Sequence, residues 1–217
     1  MKKNNKKFTI YHLPFTIKSG FTVIELIVTT GIIVVILGVV FTGYPQFKAR
    51  SALSALARSV GLLVREAQVY GLAVKEFPVQ ADKFPPYGVH VSIDNLREII
   101  LFGDLETGER NGIYDVGEGC GTVGTECMRR FTLAGPEYID KICVNPGGGT
   151  GGDTTLTEVC DINELNITFR RPDPEAVIIV DDPSRTYNGA TIYLRSKSNA
   201  KEHRVVRVWI TGQISVQ

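Results

Sequence analysis

Only three histidines and one tryptophan occur in the 217 residues, and there is no G-x-S-x-G, H-E-x-x-H, Walker or C-x-x-C sequence. The patterns that announce a serine hydrolase, a zinc protease, a nucleotide-binding loop or a thioredoxin-type redox centre are therefore missing. One-sided charge is also lacking. Lys and Arg number 24 against 23 Asp and Glu, for a net +1, which excludes a strongly basic nucleic-acid-binding chain and a disordered polyelectrolyte. Internal repeats are absent, and the length suits one ordinary domain with an accessory segment, not a multidomain enzyme. Enzymatic activity is not expected.

The near-neutral total conceals an asymmetry. Lys2, Lys3, Lys6, Lys7 and Lys18 fall in residues 1–20 without an acid, so five positive charges precede a remainder carrying −4. Residues 21–44 read FTVIELIVTTGIIVVILGVVFTGY, with Glu25 as the single charge. As a helix this run spans roughly 35 Å, enough to cross a bilayer. No other run is comparably apolar, so burial in a soluble core is a poor alternative. Lysines before the span put the N-terminus in the cytoplasm and the remainder outside. A cleaved secretory signal would have a shorter apolar region and a small-residue site just beyond it, whereas the first A-x-A here, Ala55 to Ala57, comes after Lys48 and Arg50.

A carboxylate within an apolar helix is costly and calls for a partner. The order Lys18-Ser19-Gly20-Phe21-Thr22-Val23-Ile24-Glu25-Leu26 resembles the prepilin signature of type IV pilins and type II secretion pseudopilins. The resemblance implies cleavage after Gly20 by a prepilin peptidase, N-methylation of Phe21 and an assembly role for Glu25. Cleavage would create an ammonium that Glu25 of a neighbouring subunit can pair with, neutralising the buried charge on assembly. The 20-residue leader is longer than that of many type IV pilins.

Beyond the span, Leu53, Leu56, Val60, Leu63, Ala67, Tyr70 and Val74 repeat at alternating spacings of three and four, the stripe of an amphipathic helix. With Pro45 as a tolerated kink, residues 21–74 are expected to form one long bent helix. After Phe77, short runs rich in Val, Ile, Thr, Tyr and Phe are separated by Gly, Pro, Asn and Asp. Strands are expected at 87–93, 98–102, 129–133, 139–144, 165–170, 176–180, 190–195, 204–210 and 213–216. The fold class is therefore α+β: a long bent N-terminal helix, its second half packed on an antiparallel β-rich domain. Residues 1–20 form a removable leader, 21–44 a membrane or filament-core helix, 45–76 an amphipathic continuation and 77–217 the extracytoplasmic β-rich domain.

Val64-Arg65-Glu66-Ala67, Tyr87-Gly88-Val89-His90-Val91, Ile167-Thr168-Phe169, Arg204-Val205-Val206-Arg207-Val208 and Thr211-Gly212-Gln213-Ile214 resemble the H-type minor pseudopilins and FimT-like minor pilins. That resemblance implies a pilin-like fold and a minor subunit acting in filament initiation or at the tip. Its partners would be other pilin or pseudopilin subunits, the prepilin peptidase, the inner-membrane assembly platform and, before assembly, membrane lipid.

Cys120, Cys127, Cys143 and Cys160 all follow the apolar span, a placement that favours disulfides. Three pairings are open; Cys120 with Cys127 and Cys143 with Cys160 is preferred because each closes a local Gly-rich loop. The Gly-rich stretch 145–153 lacks the Gly-Lys-Ser/Thr ending of a phosphate loop and reads as a surface loop. Between Gly103 and Gly119, Asp104, Glu106, Glu109, Asp115 and Glu118 face Arg110 alone. Set on a twelve-residue calcium loop from Thr107, the stretch places Glu109, Asn111, Asp115 and Glu118 at ligand positions and Gly112 at the tight turn. Thr107 replaces the first aspartate, a place Asp104 or Glu106 would have to fill. A calcium loop and a solvated acidic turn both remain open, and no other cofactor is expected.

The tail carries Arg185, Arg195, Lys197, Lys201, Arg204 and Arg207 against Glu202. Lys197, Lys201 and Arg204 are candidate DNA contacts, with a turn at 197–201 extending the patch. The alternative is a basic edge that discourages strand pairing or docks on an acidic neighbour. Gly212-Gln213 stands where relatives often carry Gly-Arg, which disfavours an arginine-based DNA contact. Two functions stay in view: a structural subunit of a type IV pilus or type II secretion-type filament, and the DNA-binding minor pilin of a competence pilus.

Overall fold

A computed structural model describes residues 20–217 apart from 79, 81–82, 106–110, 116, 118, 147–157 and 182–184. The elements in chain order are α1 (Val23–Leu72), β1 (Tyr87–Ser92), a short 3-10 turn (Ile93–Asn95), β2 (Glu98–Gly103), β3 (Cys127–Thr132), β4 (Glu137–Pro146), β5 (Glu164–Phe169), β6 (Ala176–Val180), β7 (Tyr187–Ser196), β8 (Asn199–Trp209) and β9 (Ile214–Val216). The chain divides into two compact units, Met1–Tyr44 and Pro45–Gln217. The protein is α+β, with an apolar N-terminal helix and antiparallel sheets.

Two sheets build the second unit. One has the order β3-β2-β1-β5-β6 and the other β4-β7-β8-β9. Every strand pairing within them is antiparallel, the arrangement that short connections between strands allow. One face of each sheet meets α1 in a single apolar core: Val60 and Val64 from the helix, Val89 and Ile167 from the first sheet, Ile192 and Val206 from the second. Each fully buried side chain of this size contributes about 1.5–3 kcal/mol relative to exposure.

The helical stripe is wider than its sequence spacing indicates. Leu53, Leu56, Val60, Leu63 and Ala67 are buried, and Ala57, Val64 and Gln68 join them. Two glycines on this face let the sheets approach. A Cβ on Gly71 would sit 2.4 Å from the carbonyl oxygen of Phe169, and one on Gly61 would sit 2.8 Å from Cγ2 of Val216. The helix stops at Leu72, not 74. Val74 has φ +54° and is half exposed, while the N–H of Lys75 reaches back to the carbonyl of Tyr70. This is a Schellman-type ending with valine where glycine is usual.

β1 is buried along nearly its whole length because both of its faces are covered. Tyr87, Val89 and Val91 are in the core, whereas Gly88 and His90 lie on the side with Phe102 and Tyr114. The β2–β3 connection supplies that second cover: Gly112 lies against Thr168 and Ile179, and Tyr114 packs on Phe102 and on the disulfide partner Cys127.

The largest departure from the expected strands is at the β7–β8 hairpin. Its turn is Lys197-Ser198, not 197–201, and Lys201 belongs to β8. Polar Asn199–His203 sequence reads as loop, but backbone pairing of Arg195 with His203 and Ser196 with Asn199 draws it into the ladder.

Candidate functional site

Val23–Phe41 is one helical segment with mean hydropathy 2.8 and none of it buried, and it is long and apolar enough to cross a membrane. Its start is capped. Thr22 Oγ1 accepts the N–H of Glu25 at 3.3 Å, the first half of a Thr-x-x-Glu capping box. Glu25 thus stands in the first turn, where the helix dipole favours a negative charge. The hydroxyls of Thr29 and Thr30 donate to the carbonyls of Glu25 and Leu26, both at 2.8 Å, so these polar side chains need no water. Gly20 and Phe21 are exposed. The lysines of the leader and His12 lie outside the described residues.

The acidic stretch is organised around Glu126, which the sequence pattern does not single out. Glu126 is 2% exposed, and Asp104 is fully buried. Glu126 Oε1 accepts the N–H of Leu105 at 2.9 Å and its Oε2 the N–H of Asp115 at 2.8 Å. Asp104 Oδ2 accepts the N–H of Gly112 at 3.1 Å. Burial pushes the Glu126 carboxyl up to about 7; the two amides oppose the shift, and the charges of Asp115 and Asp104 add to it. Asn111 Oδ1 accepts the N–H of Ile113 at 2.9 Å, an Asx turn leading into the loop, and Asp115 is exposed.

Glu106, Thr107, Glu109 and Glu118 lie outside the described residues. Among the described ones, Asp104, Asp115 and Glu126 do not converge closely enough to share an ion, and the carboxylates of Asp104 and Glu126 accept backbone amides instead. Among the described residues, the one close group of potential ligands is Cys143, Glu158 and Cys160. Its sulfurs are joined, since Cys143 pairs with Cys160 and Cys120 with Cys127. That bond leaves no thiolate for a metal.

A second network fixes the same loop to the first sheet. Asn166 Oδ1 accepts the N–H of Tyr114 at 3.1 Å and lies 2.9 Å from His90 Nδ1. An acceptor oxygen there requires a proton on His90 Nδ1. His90, Tyr114, Asp94, Glu98, Arg130 and Glu164 line a hollow of about 290 Å³ beside this link. Arg130 and Glu98 pair across it at 3.3 Å.

The basic tail is partly neutralised within the domain. Arg207 pairs with Glu158 at 2.9 Å and Arg195 with Asp140 at 3.0 Å, while the tail's own acid, Glu202, pairs with Arg50 of α1 at 2.8 Å. Arg204 turns to the helix: its Nε donates to Ser54 Oγ at 3.0 Å and its Nη1 to the carbonyl of His203 at 3.0 Å. Arg204 and Arg207 thus face opposite sides of β8. Lys197 is exposed in the hairpin turn, and the side chain of Lys201 lies outside the described atoms. Of the three candidate DNA contacts, one braces the fold.

Glu158 is the acid that matches the tail. Burial raises its carboxyl, but hydrogen bonds from Tyr193 at 2.7 Å and Thr191 at 3.1 Å, with the charge of Arg207, outweigh burial and hold it below the ordinary range. No protein-family model, curated protein or solved structure matches this chain.

Proposed function

We propose that the chain is a structural subunit, a minor pilin or pseudopilin, of a type IV pilus or type II secretion-type filament. The observation that carries this reading is the combination of Gly20-Phe21, Glu25 in the first turn and an apolar helix with no buried residue of its own. An unburied apolar surface of that length needs lipid or other helices around it. Lipid serves before assembly, and the equivalent helices of other subunits serve after it. The N-terminus starts in the cytoplasm and the domain lies outside, where two disulfides are stable. Processing by prepilin peptidase leaves an ammonium on Phe21, and Glu25 of a neighbouring subunit neutralises it as the helices enter the filament core through the assembly platform. The DNA-binding minor pilin is the weaker reading, because Arg204, Arg207 and Arg195 are engaged within the domain.

The test is the intact mass of membrane-extracted protein. A chain beginning at N-methylated Phe21 is expected. A mature start beyond Tyr44, or an uncleaved chain in cells with an active prepilin peptidase, would overturn the proposal.

A further inference from the structure

The two sheets end in four edge strands, and among the described residues three of the edges are closed or guarded. β3 presents Arg129 and Arg130, paired with Glu66 and Glu98. β4 is bridged by Val159, and β6 is tied at Ala176 to the carbonyl of Ile210. Charged side chains and covering segments are the usual protections of a sheet edge. β9 has neither. Its residues, Ile214, Ser215 and Val216, are uncharged.

The hydrogen-bond register shows which of its groups are open. Gln217 exchanges both bonds with Val205, at 2.9 Å each, and the carbonyl of Gln213 takes the N–H of Trp209 at 2.9 Å. In an antiparallel ladder the residues between such pairs point their N–H and C=O the other way. Ile214 and Val216 therefore direct theirs away from β8.

A groove of about 570 Å³ runs along this edge, with Gly212, Gln213, Ile214 and Val216 on one side and Arg58, Gly61, Leu62 and Arg65 of α1 on the other. Gly61 is what lets β9 lie so near the helix. Leu62 is 69% exposed in the groove. Arg58 and Arg65 stand on either side of it, about 10 Å apart along the helix axis. Among the described residues neither has an acidic partner; Arg65 donates to the amide of Gln68.

We propose that the groove between α1 and β9 receives an extended peptide segment of a partner protein, which adds a strand at Ile214–Val216 and places carboxylates on Arg58 and Arg65. Open main-chain groups give the affinity of strand addition, and the alternate side chains of the added strand give its specificity. Ten ångströms correspond to about three residues of extended chain, so carboxylates two to four positions apart reach both guanidinium groups. An apolar residue between them lies on Leu62. A nucleic-acid strand would satisfy the arginines but not the alternating N–H and C=O groups or the apolar floor. The chemistry of this groove is independent of what the apolar N-terminal helix does.

The experiment follows hydrogen–deuterium exchange of residues 210–217 in the full chain, held in detergent micelles. The probe is the capped pentapeptide Glu-Thr-Val-Thr-Glu. Controls are its lysine-flanked version, a version with proline at the centre and a short single-stranded oligonucleotide. Exchange about fivefold slower is expected when the acidic peptide is present at about four times its Kd. The three controls should leave exchange unchanged. Arg58→Glu with Arg65→Glu should abolish the protection. So should Val216→Pro, which removes an outward N–H and no bond to β8, so that its melting temperature stays that of the parent. No protection at millimolar acidic peptide, equal protection by the lysine-flanked peptide, or protection by the oligonucleotide alone would each overturn the proposal.

Discussion

The carboxylate of Glu126 accepts the backbone N–H of Asp115 at 2.8 Å from a position only 2% exposed. Desolvation, opposed by two amide donors and reinforced by Asp115 and Asp104, lifts this carboxyl from an ordinary 4.5 to about 7. The folded state therefore holds the proton more tightly than the unfolded state. The resulting stability is fully present below 4.5 and is lost as pH rises through 7. Its size is about 3 kcal/mol. Denaturant midpoints of the full chain should fall between pH 5 and pH 8, and Glu126→Gln, neutral throughout, should remove that part of the slope. A parent equally stable at both pH values would contradict the assignment.

Gln68 is a buried polar residue that ties α1 to two distant segments. Its Nε2 donates to the carbonyls of Pro174 and Gly212, each at 3.1 Å. Gly212 must remain glycine there, because its φ is +78° and a Cβ would fall 2.1 Å from the Pro174 oxygen. Gln68→Leu keeps the volume and strands two carbonyls, for an expected loss of about 2 kcal/mol. Chemical denaturation measures it, and a loss under about 0.5 kcal/mol would mean that water replaces the amide.

The part of the fold that is legible in the sequence is the part set by local pattern. Alternating spacings of three and four give the buried stripe from Leu53 to Ala67, and clusters of β-branched residues mark nine strands to within a few residues at most ends. Small and polar contributions stay hidden. Ala57 and Gly61 fall outside the alternating three-and-four spacing, and Gln68 reads as solvent-facing until Pro174 and Gly212 come within reach, more than 100 residues further along the chain. The same holds for the acidic loop. An acid-rich window between Gly103 and Gly119 is visible, but Glu126, which organises it, lies beyond that window and acts through tertiary contacts with Leu105 and Asp115. The basic tail shows the converse: its charges are read correctly one by one, while Glu158 and Asp140, which neutralise two of them, come from other elements.

Glu25 separates insertion from assembly. Removing a carboxylate from an apolar helix lowers the cost of membrane insertion by up to about 3 kcal/mol, so Glu25→Val should reach the membrane at least as well as the parent. In the filament reading the same change deletes the partner of the Phe21 ammonium, and incorporation should drop about tenfold or more, the effect of leaving a charge buried without compensation. Co-purification with sheared filaments measures this. Equal incorporation of the two proteins would remove Glu25 from the assembly step.

The two disulfides should contribute unequally. Closing 17 residues, the Cys143–Cys160 bond restricts the unfolded chain by about 3 kcal/mol, and the Cys120–Cys127 bond, closing seven, by about 2 kcal/mol. The longer one has a further effect, because Glu158 and Val159 lie just before Cys160. Val159 exchanges backbone bonds with Val144 at 2.8 and 2.9 Å, and Glu158 holds Arg207, Thr191 and Tyr193. Cys143→Ser with Cys160→Ser frees this segment and weakens that network. Glu158 is held below the ordinary carboxylate range, so its stabilisation is present above the unfolded value and is lost as pH falls through the folded one. The double variant should thus lose most stability near neutral pH and less as falling pH protonates Glu158. Cys120→Ser with Cys127→Ser should show no such acid dependence. Melting curves of both variants followed from pH 7 downward through the acid range decide it, and parallel losses across that range would uncouple the Cys143–Cys160 bond from Glu158.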